Sequence, residues 1–266
     1  MADFSPRAQK TLISADLILA EDTRVTRKLM GLFGIQGKVE RCDEATTAQG
    51  IARACDVLTA GGVVAFCADA GTPGISDPGE RLAQGVMDRG FATFAIPGPC
   101  AALTALTISG LASGQFMFAG FAPAKAGPRS GFLSDLAQIK TTLIFYETGP
   151  RLLASLTAMH EAFGNRPACV ARELTKMYEE VRRGLLVDLI EHYGKSGAPK
   201  GEIVIVIEGA ADIKAHIEDD DLDAMIATAL KTKRLKDAAA EIAARTGLAR
   251  RDIYARGVAL GKGKPT

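Results

Sequence analysis

The sequence has no tryptophan, three histidines and five cysteines in 266 residues. His160, His192 and His216 are far apart, with no spacing of metal-ligand type, which speaks against a zinc site. Cys42, Cys55, Cys67, Cys100 and Cys169 form no C-x-x-C pair. Their odd number and apolar neighbours suit reduced thiols rather than a disulfide framework. No apolar run approaches the ~20 residues of a membrane span. The opening Met-Ala-Asp-Phe-Ser-Pro-Arg has no apolar signal core. A soluble, cytoplasmic protein is expected. G-x-G-x-x-G, G-x-x-x-x-G-K-[ST] and G-x-S-x-G are also missing, which argues against a standard dehydrogenase, nucleotide hydrolase or esterase.

Apolar residues are plentiful, at 47%, enough for a large core. Strand-like and helix-like runs alternate, the mark of an α/β protein. Strands are expected at 16–20, 63–68, 91–96, 116–121, 143–146, 168–172 and 203–207. The last is unbroken β-branched sequence, as in a central strand. Helices are expected at 84–89, closing on Gly90, and at 101–111 and 151–163. Ser109-Gly-Leu-Ala-Ser-Gly114 reads as a boundary. The expected division is an α/β domain over 1–112, a second over 113–212 and a helical extension over 222–266. The extension follows the acidic run Glu218-Asp-Asp-Asp221 and pairs helices at 236–245 and 251–260 across Thr246-Gly247, a helix-turn-helix-like pattern.

Two loops stand out. Asp69-Ala-Gly-Thr-Pro-Gly-Ile-Ser-Asp-Pro-Gly79 follows the apolar run at 63–68. Glycine lets a backbone approach a ligand closely, proline stiffens it, and ligands of open α/β sheets sit at the carboxyl ends of strands. Asp69, Gly71, Thr72, Pro73 and Ile75 are therefore candidates for holding a small molecule, largely by main chain. Pro97-Gly-Pro-Cys-Ala101 ends the next apolar run and opens a helix, whose free N–H groups suit an anionic group. Pro97, Gly98, Cys100 and Ala101 join the same candidate cleft.

Charge is unevenly spread. Residues 229–266 carry ten Lys/Arg against three acids, a net +7, while the rest of the chain carries −6. A basic appendage on an acidic body suggests a polyanion partner, and a solvated helical face gives the same pattern. Glu21-Asp-Thr-Arg24 with Arg27-Lys28 is expected to cap a helix through Asp22 or Thr23, to form a polar rim, or both. Arg172-Glu-Leu-Thr-Lys176, with Glu179-Glu180 and Arg182-Arg183, is either an ion-pair network or a group for acid–base chemistry.

These motifs, together with Ile96-Pro-Gly-Pro99, Phe145-Tyr-Glu147 and Gly201-Glu202, occur in an order that resembles the 16S rRNA cytidine-2′-O-methyltransferases of the tetrapyrrole-methylase superfamily. The resemblance spans about residues 3–260. It implies a two-domain tetrapyrrole-methylase-like α/β fold with mixed sheets and a small helical C-terminal extension. It implies S-adenosylmethionine as methyl donor, a cytidine ribose of the decoding region of 16S rRNA as acceptor, and a homodimer. By motif, Thr72, Ile75, Cys100, Ala101, Tyr146 and Leu174 would contact the donor. Lys176, Glu173 and Glu147, in that order, are candidates for removing the hydroxyl proton. Arg24, Arg27, Lys28, Arg250 and Arg251 would face RNA.

Three departures accompany the resemblance. The family begins with an extra strand and an Ile-Gly-Asn-type loop before the position of Asp3; here Met1-Ala2-Asp3 stands there. A misassigned start is suspected, a truly shortened protein being the alternative, and a missing strand would open a sheet edge. Cys100 stands where serine is usual, and Thr148-Gly-Pro150 replaces a Ser-Pro-His-type stretch. Two rival readings remain: a tetrapyrrole methyltransferase with the same donor, and a non-catalytic nucleic-acid-binding protein using the basic tail.

Overall fold

A computed structural model describes residues 2–76, 78–211, 219–246 and 248–262. Met1, Asp77, His216, Glu218, Gly247 and Lys264, which figure in the sequence reading, lie outside the described residues. The chain divides into two compact units, Met1–Ala137 with Thr141–Glu208, and Gln138–Lys140 with Gly209–Thr266.

The first unit opens with α1 (Pro6–Ser14), β1 (Leu17–Ala20), α2 (Thr23–Leu32), β2 (Val39–Arg41), α3 (Thr47–Thr59), β3 (Val64–Cys67), α4 (Glu80–Met87) and α5 (Ala101–Ser109). The Ser5 hydroxyl caps α1 by accepting the Ala8 N–H, and Pro6 is at its start. The Asp22 carboxylate caps α2 through the Arg24 N–H at 2.8 Å. The strands form a three-stranded parallel sheet in the order β2-β1-β3. β1 is apolar throughout because both faces are covered. Leu17 and Leu19 pack with Ala54 of α3 and Leu82 and Val86 of α4, while Ile18 packs with Leu12 of α1 and Met30 of α2.

The expected strand at 91–96 is not formed: these residues are coil. Phe91 packs against the Leu82–Val86 core, but Phe94 is 83% exposed. β3 pairs with β1 alone, so the segment has no ladder to join. Strand propensity needs such a neighbour to become a strand. The first sheet is thus parallel throughout, and only the second is mixed.

The unit continues through β4 (Phe116–Phe121), α6 (Ala126–Leu136), β5 (Thr142–Thr148), α7 (Gly149–Phe163), β6 (Pro167–Arg172), β7 (Glu180–Leu185), α8 (Leu186–Ser196) and β8 (Glu202–Ile207). They build a five-stranded sheet in the order β4-β5-β8-β6-β7, with β8 central. β4, β5 and β6 run in one direction, β7 and β8 in the other. β7 is an edge strand of charged, half-exposed sequence, which composition presents only as a charge cluster. The sheet's two faces separate two sets of side chains. Phe145 meets Phe132 of α6 and Phe163 of α7 on one. Ile144 and Tyr146 meet α5 on the other.

The second unit contains α9 (Asp219–Ala229), α10 (Leu235–Thr246) and α11 (Arg250–Lys262). Leu222, Ile226, Ala239, Ile242 and Ile253 form its core. Gly257 lets α11 approach Leu235 closely, since a Cβ there would collide with the leucine.

Candidate functional site

A cross-strand row links the second sheet at one level: Phe121 pairs with Tyr146, Tyr146 with Val204, Val204 with Ala171 and Ala171 with Val181. This row lies at the carboxyl ends of β4, β5 and β6. Tyr146, Val204, Ala171 and Val181 join one apolar cluster with Ala102, Ala105 and Leu106 of α5. Cys100, Ala101 and Leu174 pack on the same cluster. Four of the six donor contacts implied by motif therefore converge. Phe118 and Phe121 brace the Tyr146 ring edge-on, at 4.9 and 5.6 Å between centroids.

The other two, Thr72 and Ile75, arrive on the long loop after β3. The Thr72 hydroxyl donates to the Pro99 carbonyl at 3.1 Å, joining the two glycine–proline loops. The Ile75 N–H closes a turn onto the Thr72 carbonyl at 3.0 Å, and its side chain is exposed. Gly71 and Gly74 take positive φ, and so does Ser76 at 58°. At Gly79 (φ 127°) a Cβ would stand 2.7 Å from the Phe66 ring, so the loop's return needs glycine. The loop also reaches β4: a Cβ at Gly120 would lie 3.6 Å from the Ser76 hydroxyl.

Asp69 fastens the loop to the end of β1 rather than reaching outward. Its carboxylate accepts the Asp22 N–H at 3.1 Å, and its own N–H donates to Glu21 at 3.1 Å. Pro73, Pro97 and Gly98 occupy the joined loops. α5 begins at Cys100 with no side-chain cap, so its first-turn N–H groups face outward unmet by a hydroxyl.

The charge cluster after β6 is a clasp. Glu173 and Thr175 hold positive φ, 50° and 65°, unusual for these residue types. The Glu173 carboxylate accepts the Glu202 N–H at 3.0 Å and the Lys176 ammonium at 2.9 Å. Lys176 also reaches Glu202 at 2.8 Å. The Glu202 N–H, then the Lys176 partner, hold the Glu173 carboxyl below the usual range. Glu202, then Glu173, hold the Lys176 ammonium above its ordinary value despite partial burial. Gly201 (φ 97°) admits this arrangement, because a Cβ there would collide with the Glu173 carboxylate.

This arrangement bears on the expected proton acceptors. Each partner favours the charged form of the other, so the Glu173–Lys176 contact has the character of an ion pair. Glu147 alternates with Tyr146 on β5 and lies on the other face of the sheet. There it is buried, accepting from Ser155 and the Thr148 N–H and pairing with Arg151 at 3.1 Å. It does not join the group at all.

The structure spreads the expected RNA-facing cations over both units. Arg24, Arg27 and Lys28 are exposed on α2. Arg24 pairs with Asp22, whose carboxyl is lowered to about 2 mainly by that side-chain bond. Arg27 donates to the Val39 carbonyl. In the second unit Arg250 donates to the Lys236 carbonyl at 3.2 Å, and the Arg251 side chain is 94% exposed.

Sequence reasoning missed Phe118 and Phe121, because regular alternation puts them on opposite faces and the register shift between Phe118 and Gly120 brings both to Tyr146. Arg183, expected in the charge cluster after β6, instead donates to the Ile108 and Ser109 carbonyls and ties the end of α5 to β7. Among the described residues, no group of three His, Cys, Asp or Glu side chains is placed to hold a metal. No described helix is long and apolar enough to cross a membrane.

Comparison with known proteins agrees with this architecture. The profile of the Tetrapyrrole (Corrin/Porphyrin) Methylases matches residues 1–190, and that of the RsmI C-terminal HTH domain matches residues 216–261. Ribosomal RNA small subunit methyltransferase I of Mesorhizobium japonicum is 42% identical over 96% of this chain and 87% of its own length. The Mycobacterium tuberculosis protein of that name is 40% identical over 95% of this chain and 89% of its own. Among solved structures, the methyltransferase CobJ superposes with a TM-score of 0.56 at 18% identity, over 78% of this chain and 88% of that one. Uroporphyrin-III-C-methyltransferase from Thermus thermophilus gives 0.54 at 22%, over 77% and 88%. The chain belongs to the tetrapyrrole methylases, and within them to the family of the ribosomal RNA small subunit methyltransferase I proteins.

Proposed function

We propose that this protein transfers a methyl group from S-adenosylmethionine to the ribose 2′-oxygen of a cytidine in the decoding region of 16S rRNA. One observation carries the reading. The Thr72–Pro99 bond joins two stiff loops, and the second of them runs into Cys100 and Ala101, which share an apolar cluster with Tyr146 and Leu174. That arrangement fits the donor. The uncapped start of α5 offers N–H groups to a carboxylate, and the cluster offers an apolar surface to the rest.

When bound, S-adenosylmethionine supplies an electrophilic methyl carbon on a sulfonium. The chain's own contribution is alignment. Pinned loops fix the donor's position relative to an incoming hydroxyl, and such positioning contributes about 7–11 kcal/mol. Tyr146 is locked by two aromatic neighbours, and Leu174 is locked by the Glu173–Lys176–Glu202 clasp. Lys176 serves as a fixed cation in that clasp, not as a proton acceptor.

The acceptor side of the reading rests on the basic stretch 229–266 and on Arg24, Arg27 and Lys28. Phosphate contacts of this kind make binding fall steeply with salt. The relatives named for small-subunit rRNA methylation support the same acceptor. We place the active protein in the cytoplasm as a homodimer, which light scattering of the purified protein tests. The decisive assay is transfer of labelled methyl to 30S subunits followed by nucleoside analysis. Labelled 2′-O-methylcytidine is expected. Labelled base, or labelled tetrapyrrole with no RNA product, overturns the reading.

A further inference from the structure

We propose that Tyr178, with Met177 beside it, is the platform on which an unstacked base of the acceptor RNA rests; this builds on the rRNA methyl-transfer reading above. The two residues form the tip of the loop between β6 and β7. Tyr178 is 68% exposed and Met177 89% exposed. Among the described residues, no aromatic ring packs on Tyr178.

The tip is large and apolar, yet it stands on a fixed base. The Thr175 N–H donates to the Glu179 carboxylate at 2.6 Å. The Lys176 N–H returns to the Glu173 carbonyl at 3.0 Å, and the Glu179 N–H to the Lys176 carbonyl at 3.2 Å. Below them, the clasp through Glu202 anchors the loop to β8. Three residues before the tip, Leu174 packs on the apolar cluster of the site. The loop that lines the candidate donor pocket therefore carries an exposed aromatic ring at its outer end.

Met177 and Tyr178 stand side by side as an exposed apolar pair on an anchored loop, and contiguous exposed apolar surface marks an interaction site. Single-stranded RNA is recognised by bases splayed out onto aromatic rings. Where the acceptor nucleotide is unpaired, its base is free to rest on a ring beside the site while the ribose is presented to the donor. Tyrosine suits this, having a flat face and few side-chain rotations to freeze. Arg182 on β7, half-exposed and paired with Glu180 at 3.3 Å, is a cation four residues along the chain.

The test compares wild type, Tyr178→Ala and Tyr178→Phe in full-length protein. Methyl transfer to 30S subunits gives KM for the acceptor, and calorimetry with S-adenosylmethionine gives donor affinity. Loss of base stacking predicts that Tyr178→Ala raises the acceptor KM about tenfold, with donor affinity unchanged. Tyr178→Phe keeps the ring and stays near wild type. An unchanged acceptor KM for Tyr178→Ala overturns the proposal. So does an equal loss of donor affinity, which means the ring only supports the loop. So does failure of Tyr178→Phe to rescue, which assigns the role to the hydroxyl. A wild-type protein that binds donor but leaves 30S subunits unmethylated removes the acceptor reading itself, and this inference with it.

Discussion

The Glu173 carboxylate occupies the space that a side chain at Gly201 would need. Two residues 28 positions apart thereby set the loop carrying Leu174 against the start of β8. Gly201 holds φ at 97°, a conformation that costs a residue with a Cβ about 1–3 kcal/mol before any collision is counted. Gly201→Ala is expected to destabilise the protein by at least that amount in urea unfolding. It should also weaken donor binding, because Glu173 must move and Leu174 moves with it. Wild-type stability and donor affinity in this variant would show that the clasp positions nothing.

Lys176→Arg separates a clasp from a base. Arginine keeps the cation and cannot accept a proton at working pH. Activity is expected to stay within about threefold of wild type, whereas loss of a general base costs about 10²–10⁴-fold. The pH behaviour follows from the two shifts. Lys176 is raised above its ordinary value of 10.5, so its contribution is complete below that pH and is lost as pH rises through the raised value. Glu173 is lowered from 4.5, so its contribution is complete above that pH and is lost as pH falls through the lowered value. The clasp should hold unchanged between about pH 5 and 10. Because Lys176 and Glu202 are partly solvated, it should loosen with salt.

Glu147 is a buried carboxylate held by Ser155 and Arg151, and its replacement should register as lost stability. Glu147→Ala leaves Arg151 and the Ser155 hydroxyl without their buried partner. The expected cost is about 2–3 kcal/mol, at the low end for a broken buried pair because Arg151 is partly open to solvent. Chemical denaturation reads the cost directly. The turnover of molecules still folded should stay near wild type; a folded variant with turnover reduced a hundredfold would restore Glu147 to the chemistry.

Cys100 opens α5 without capping it. Cys100→Ser places a hydroxyl where it can accept an N–H of the first turn. A gain of about 0.5–1 kcal/mol is expected, within the range for N-caps. A rise in thermal midpoint checks it, and an unchanged or lower midpoint contradicts it.

The legible parts of the fold were those where sequence and burial say the same thing. β1, β3 and β8 are short apolar runs because each packs on both faces, whereas α5, apolar all round, buries only the face carrying Ala102, Ala105, Leu106 and Ser109 and leaves Leu103 exposed. β7 was hidden: as an edge strand its charged side chains need no core, so its sequence carries no apolar signal. Residues 91–96 show the converse, an apolar run that fails to become a strand because no ladder lies beside it. The two glycine–proline loops announced the site through their composition. Which carboxylate faced which way was not legible. One-residue alternation on β5 sends Tyr146 to the site and Glu147 to α7. The clasp depends on Gly201 and Glu202, whose approach to Glu173 only the antiparallel pairing of β6 and β8 reveals.

Amide hydrogen exchange of the full-length protein with and without S-adenosylmethionine tests most directly whether these joined loops hold the donor. Protection is predicted in residues 70–76, 97–103 and 172–176, with the three-helix unit unaffected. Protection confined to other segments, or binding with no change in these three, would contradict it.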